Sequence, residues 1–504
     1  MTNHYSDFSE DNPADLVIVG AGAAGLSALS VATEYLPRNA RIVLIERRER
    51  CGGMWNSVYD HVRLHQPHGS FTAGNIAWDW SKPRGYLARK PEVLAHLGRC
   101  YDTFRTRVGL IELFGHEMTG WQEAQTDAGS RVEVTCRAAG TGAAEVRIHA
   151  KRLIRAPGYD VAALEPLTLS SKAVVSTTPE KLAGVAAKDG TAPICIVGGG
   201  KTGMDTALSV IRRDPDRRVT LLTGQGTIFA DREKMFPPGA GRWWRGQLVL
   251  SLFGDIAMRF DGDNEAEVFE HFRDTYAVSP DGRGERFLYA LMSKSESDEI
   301  AAGAVEILPC YLQDVVDTAS GPELRLRSGN ARDVEPGTIF VNCTGHVLHS
   351  GRSYEPYVSS GGAVMTVTPR SCINFQSILS SYFLTHLMFM DRLREVPLYE
   401  MDFEALYPKG AKIFQMASMT HSWMNIVMLI GEMPLRVLNG FGADLDRWFP
   451  LHRRTAGLID VKMNRGRYLA HGRAALDRVH ARFGIPCGPI VSGGEVRTAD
   501  LVAP

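Results

Sequence analysis

Two glycine-rich turns, each set between an apolar strand and a helix, and a helical pattern from Leu379 onwards predict the fold class. It is α/β: two doubly wound Rossmann-like dinucleotide-binding domains, the second inserted in the first, plus a mostly helical C-terminal region. Leu16–Val19 is an unbroken apolar run, as a strand buried on both faces of a parallel sheet requires. Gly20-Ala-Gly-Ala-Ala-Gly25 follows at once, Leu26 to Tyr35 reads as a helix, and Arg41–Glu46 is a second strand. The pattern recurs with strand Ile194–Val197, turn Gly198-Gly-Gly-Lys-Thr-Gly203, helix Met204 to Arg213 and strand Arg218–Leu222.

Between these units, Arg131–Cys136 and Glu145–Ile154 alternate like paired strands around a turn at Gly140-Thr-Gly142. Arg152–Gly158 reads as a strand leaving the first domain, and Gly337–Gly345 as the strand returning to it. The expected division is 1–165 with 336–400, an inserted domain 166–335, and a helical region 401–504 whose end, from Pro486, is a loose tail.

The 504 residues suggest about three domains. A net charge of −1 leaves no electrostatic footprint for nucleic acid or an anionic membrane. The 44% hydrophobic and 22% charged residues are globular values, and no run reaches the roughly 18 apolar residues of a membrane span. Met1 to Asp15 lacks the basic and apolar regions of a signal peptide, so a cytoplasmic location is expected. The eight cysteines form no Cys-x-x-Cys pair; they read as free thiols, with no redox disulfide and no metal site.

In the first turn, Gly20 permits the tight bend, Gly22 lets the backbone approach a pyrophosphate, and Gly25 lets helix and strand pack closely. The amides of Ala23 and Ala24 open the helix, whose N-terminus attracts phosphate. Glu46, with Arg47 beside it, ends the next strand about 20 residues on, where a carboxylate suits a ribose diol. The second turn, with Gly198, Gly200, Lys201, Thr202 and Gly203, has the same context. At the position equivalent to Glu46 stand Thr223 and Gly224, so nothing repels a 2′-phosphate and NADPH is expected over NADH. Lys201 offers a cation near the phosphates, and Arg232 is a candidate for the 2′-phosphate.

"GAGAAG", "ERRERCGGMW", "GGGKTG" and "NCTGH" occur in the order found in flavin-containing monooxygenases, which the chain resembles over about residues 14–385. The resemblance implies FAD at the first turn and NADPH at the second. It implies that Gly53, Met54 and Trp55 lie along the flavin, that Met118 meets the adenine, and that Gly345 brings the chain back to FAD. A helix starting within Ser371–Tyr382, near Gln376, would point its N-terminus at the flavin. Where relatives carry an Asn or Asp facing the flavin, this chain has His65 and Gln66, the candidate catalytic pair. Both can donate hydrogen bonds, and a His can hold a proton near neutral pH.

The implied activity is NADPH-dependent oxygenation of a small molecule, at N or S, by dioxygen through a C4a-(hydro)peroxyflavin. Two features set this chain apart: the inter-domain Phe-x-Gly-x-x-x-His motif is missing, with Ser176 or Thr177 at its His, and Thr223-Gly-Gln-Gly lacks the Arg of ketone oxygenases. Baeyer–Villiger oxygenation and NAD(P)H oxidation without oxygen insertion are the alternatives. Expected partners are the substrate and dioxygen, not nucleic acid or membrane. The C-terminal helices are expected either to build a homodimer or to cover the core.

Overall fold

The computed structural model describes residues 8–126, 129–140, 144–159, 164–188, 190–345, 351–489, 491–492 and 495–496. Residues 1–7, Thr141, Gly142, His346 and the tail from 497, which enter the expectations above, lie outside them. The first unit opens with β1 (Leu16–Val19), α1 (Ala23–Tyr35) and β2 (Arg41–Glu46). Helix α2 (Lys90–Arg105) and strand β3 (Gly109–Phe114) follow. An antiparallel meander of β4 (His116–Thr126), β5 (Gly129–Ala138) and β6 (Val146–Ala150) then leads to β7 (Leu153–Arg155). The parallel sheet runs β3-β2-β1-β7, with Val364–Thr366 beyond β7. Every side chain of β1 is buried because layers cover both faces of this sheet.

The second unit repeats that plan. After β8 (Val175–Thr177) and a short helix α3 (Leu182–Ala186) come β9 (Ile194–Val197), α4 (Lys201–Arg213) and β10 (Val219–Leu222). The sheet is again five parallel strands, ordered Glu306–Leu308, β10, β9, Ile339–Asn342, β8. A second antiparallel meander, Leu312–Thr318, Gly321–Leu326 and Ala331–Asp333, precedes Ile339–Asn342 as the first meander precedes β7.

Four expectations are corrected. Glu145–Ile154 is two strands, because the chain leaves the meander at Lys151 and Arg152 to enter the parallel sheet. The strand in Gly337–Gly345 does not return to the first sheet; it pairs with β9 and β8, and the return comes at Val364–Thr366. Helices Val249–Arg259 and Glu265–Tyr276 bury Phe253, Phe269 and Phe272 in one core with the first unit and the C-terminal helices, not with the second sheet. The tail is not loose at its start: Cys487–Pro489 pairs antiparallel with Tyr399–Met401.

The C-terminal region is built on Ala411–Glu432, a helix buried on almost every side. Its Asn425 amide donates to the carbonyls of Ile373 (2.6 Å) and Tyr399 (2.7 Å), and its Oδ1 accepts the Tyr399 N–H (2.9 Å). Buried polar groups need such partners, and these lock the helix to the loop before Ser377–Phe389. The final helix, Leu451–Phe483, buries Val461, Ala475, Leu476 and Val479 and leaves Leu451, Ile459 and Met463 exposed. Among the described residues no helix is long and apolar enough to cross a membrane, and no group of His, Cys, Asp or Glu is placed to hold a metal.

Candidate functional site

The first glycine turn floors a cleft of about 360 Å³. Ten residues singled out in the sequence line it together: Gly20, Gly22, Ala23, Ala24, Glu46, Arg47, Gly53, Met54, Trp55 and Met118. Gly20 has φ +102°, and a Cβ there would strike the carbonyl of Ala156 at the end of β7. Gly22 faces Gly53 so closely that a Cβ on Gly53 would lie 2.8 Å from the Cα of Gly22. Bare backbone on both sides lets the two loops pack directly on each other at the cleft floor. The Gly52 N–H donates to the Ala21 carbonyl (2.9 Å) and staples the two loops together. Gly25 lies behind, packed on the Gly20 carbonyl rather than lining the cleft.

Glu46 is 4% exposed. Its Oε2 accepts the Ala21 N–H (2.8 Å) and its Oε1 the Arg48 N–H (2.9 Å). A carboxylate has about four acceptor sites, so both oxygens keep a lone pair for a diol. The N-terminus of Ser377–Phe389 reaches the cleft through Ser377 and Ile378, and Ser381 Oγ donates to the Ala24 carbonyl (2.7 Å), tying that helix to α1. The helix thus starts at Ser377, after the loop the sequence placed in it, and presents positive dipole to the cleft.

Arg155, Arg352 and Tyr159 also line the cleft and were not singled out in the sequence. Arg155 is ion-paired with Glu355, and its buried Nε has no hydrogen-bond partner. Burial pushes its guanidinium down to about 10, helped by Arg352. With Arg47 and Arg48, these cations suit a pyrophosphate. The position of Arg155, directly before Ala156-Pro-Gly158, was the available signal.

At the second turn, Gly198 has φ +128° and abuts the Cys343 carbonyl as Gly20 abuts Ala156. A Cβ on Gly199 would lie 2.6 Å from the Thr223 carbonyl, so Thr223 forms the far wall, and no carboxylate stands there. Thr223 Oγ1 is turned to the Leu308 carbonyl (3.3 Å). Beyond it, Tyr311 covers Gly224, Arg327 lies 5.4 Å from the Tyr311 ring, and Arg286 donates to Gln225 (3.0 Å).

Lys201 is ion-paired with Asp205, so its charge is answered within the helix. Arg232 is bound to Glu296 (2.6 Å) and donates to the His65 carbonyl (3.3 Å), which removes it as the cation for a 2′-phosphate. Gly345 stands exposed at the end of a second-sheet strand and lines no part of the first cleft. Ser176 and Thr177 lie in β8, where Ser176 Oγ accepts the Leu167 N–H (2.7 Å). Trp243 and Trp244 are exposed, with Trp243 stacked on His452.

The loop after Trp55 joins the two sites. Tyr59 donates to Asp205 (3.0 Å), and His61 bonds Thr206 (3.2 Å), so the loop is fastened to α4. Burial and the Asp205 charge hold the Tyr59 phenol well above its usual range. His65 and Gln66 do not line the first cleft; with Gln376 they line an apolar chamber beside it. Burial pushes the His65 imidazole down to about 4, with Lys201 adding to the effect. The ring is neutral at neutral pH, which corrects the expectation of a proton held there.

All eight cysteines are free. Cys51, next to the cleft, is pushed up to about 11 by burial, and Cys343 to about 12. Burial thus favours the thiol over the thiolate at both.

Fold and site define the class: two Rossmann-type parallel-sheet units, each with a glycine turn between a strand and a helix. Residues 14–245 match the profile of the pyridine nucleotide-disulphide oxidoreductase family. Uncharacterized proteins of Mycobacterium bovis and Mycobacterium tuberculosis are 24% identical over 387 residues, 74% of this chain and 67% of theirs. Among solved structures, cyclohexanone monooxygenase with bound epsilon-caprolactone has 13% identity and a TM-score of 0.48, over 85% of this chain and 98% of that one. The ornithine N-hydroxylase of Kutzneria has 13% identity and a TM-score of 0.45, over 76% and 98%. A flavin-containing monooxygenase from Stenotrophomonas maltophilia has 13% and 0.42, over 75% and 98%.

Proposed function

We propose that the protein is an FAD- and NADPH-dependent monooxygenase that oxygenates a small molecule at nitrogen or sulfur. The observation that carries this reading is the loop Tyr59–Gln66. One end is fastened to the helix of the second glycine turn, and the other lines an apolar chamber next to the first cleft. Two nucleotide sites and a mainly apolar chamber therefore meet at one place. FAD fits the first cleft: its floor at Gly20, Gly22 and Gly53 is bare backbone, Glu46 would take the ribose diol, and Arg47, Arg155 and Arg352 would take the pyrophosphate. NADPH fits the second turn, where Thr223 stands in place of a carboxylate.

A flavin held there supplies hydride acceptance from NADPH and electron transfer to dioxygen. The chain binds and orients the two cofactors. The N-terminus of Ser377–Phe389 favours negative charge on the adjoining ring. Neutral His65 and Gln66 would donate hydrogen bonds without delivering a proton near pH 7, and the rest of the chamber wall is mainly apolar.

The test is anaerobic reduction with NADPH followed by mixing with oxygen and a sulfide. Oxygenated product in step with NADPH consumed is the expected result. Stoichiometric hydrogen peroxide with no product from any sulfide, amine or ketone overturns it in favour of an oxidase, and a lactone or ester from a ketone alone in favour of Baeyer–Villiger chemistry.

A further inference from the structure

The final helix, Leu451–Phe483, turns one face inward through Val461, Gly472, Ala475, Leu476 and Val479. At about 100° per residue, the opposite face runs through Ala456, Ile459, Met463, Gly466 and Ala470, with the alternating three- and four-residue spacing of a helix-pairing seam. Ile459 is 55% exposed and Met463 80%. At the N-terminal end of this face, His452 carries the exposed Trp243 stacked on it at 5.7 Å, with the exposed Trp244 beside it. The inward face covers the core; the outward one places large apolar side chains in water.

Gly466 stands in the middle of this face. A Cβ there would have nothing of its own chain within 4 Å. A glycine inside a helix is destabilising relative to alanine, and no packing within the chain requires one here. Gly472, on the inward face of the same helix, is different: its Cβ would lie 3.1 Å from Met424 Sδ. The bare position at Gly466 points to a group that approaches from outside the chain.

A second copy of the helix, laid antiparallel, matches this face in size and in charge. With the two-fold axis between residues 464 and 465, Met463 of each copy falls opposite Gly466 of the other, and Ile459 opposite Ala470, so each large side chain meets a small one. The same pairing brings Asp460 of each copy within reach of Arg467 of the other, on one flank of the seam. Both residues are exposed, and among the described residues neither has an ion pair within its own chain. Two helical turns separate them, too far for a pair with each other. The Tyr468 hydroxyl (2.7 Å) and the Asn464 amide (2.8 Å) hold the Asp460 carboxylate in place. A lipid surface offers no match for the bare Gly466 or for that carboxylate.

We propose that the protein pairs with a second copy of itself through this face, the two final helices packing antiparallel along Ala456–Ala470 about a two-fold axis. Ile459 and Met463 are the side chains that insert, Gly466 and Ala470 receive them, and two symmetric Asp460–Arg467 ion pairs set the register. Trp243 and Trp244 extend the contact at both ends.

Sedimentation equilibrium of the full chain should give twice the mass of one chain at micromolar concentration. Asp460→Arg or Arg467→Asp sets like charges together twice in the symmetric contact, so each should weaken self-association at least about tenfold. An equimolar mixture of these two variants should associate again, and so should the double variant, because every 460–467 contact then joins opposite charges. Gly466→Leu, which favours the helix but blocks the close approach, should give a monomer with undiminished helical circular dichroism. A parent that stays monomeric at tens of micromolar overturns the proposal, as does a dimer that Gly466→Leu leaves unchanged or a charge-swapped mixture that fails to associate. A monomeric parent that co-sediments with vesicles of phosphatidylcholine and phosphatidylglycerol overturns it in favour of a membrane surface.

Discussion

The Tyr59 phenol donates to the Asp205 carboxylate at 3.0 Å, and this bond fixes a first-domain loop onto the opening turns of α4. His61 repeats the link on the adjacent residue, Thr206, and Asp205 also neutralises Lys201. The two glycine-turn units are therefore joined through this loop. Tyr59→Phe should cost about 1–2 kcal/mol, the net worth of a hydrogen bond to a charged group in a partly buried setting. A thermal midpoint unchanged from the parent would show that the bond does not tie the domains.

Glu46 is buried with both carboxylate oxygens bonded to backbone N–H groups at the cleft floor. Glu46→Ala should weaken FAD binding at least about tenfold, because a diol loses a charged acceptor and the Ala21 N–H loses its partner. The flavin retained per chain after gel filtration measures this. Full retention would remove Glu46 from the ribose.

Thr223 stands where a carboxylate would select against a 2′-phosphate. Thr223→Glu should raise the KM for NADPH by about tenfold or more and shift preference toward NADH, since like charges would meet at close range. An unaltered ratio of kcat/KM for the two coenzymes would place the reading of the 2′-phosphate elsewhere, with Arg286 and Arg327 the next residues to replace.

Stability should peak at mildly acidic pH. Burial pushes His65, His96, His386 and His421 down to about 4, so below about 6.5 the unfolded chain takes up protons that the native state refuses, and stability falls as pH drops. Burial raises Glu400 to about 8 and Asp446 to about 7, so the native state keeps protons that the unfolded chain releases, and stability falls as pH rises toward 8. A thermal midpoint with its maximum between roughly pH 6 and 7 is expected for the FAD-free protein. A midpoint climbing steadily from pH 5 to 8 would contradict this.

The βαβ openings were legible because their determinants are local. Leu16–Val19, Arg41–Glu46 and Ile194–Val197 form strands at the limits read from their apolar runs. The helices begin three residues earlier than their periodicity suggested, at Ala23 and Lys201, because Gly22 and Gly200 take the extended conformation of a cap. The residues of the first cleft were legible for the same reason: glycine turn, terminal acid and Gly-Gly-Met-Trp lie within a short stretch of chain.

His65 and Gln66, expected against a flavin by likeness of position, line the chamber beside the first cleft, on a loop that Tyr59 and His61 fasten to α4. Gly345 was read as a return to the first domain, and its strand pairs with β9 instead. Short apolar strands such as Phe340-Val341-Asn342 carry no label of the sheet they join.

The sequence by itself determined the two glycine turns, their flanking strands, the acid at Glu46 and the absence of an acid at Thr223. These rest on backbone sterics and on residues near one another along the chain. Tertiary structure alone decided that the helices Val249–Arg259 and Glu265–Tyr276 share a core with the C-terminal helices, and that Arg155 and Arg352 line one cleft. Those arrangements depend on which distant surfaces bury each other and which polar groups find partners, and apolar burial, being non-directional, leaves no local mark of its partner in the chain.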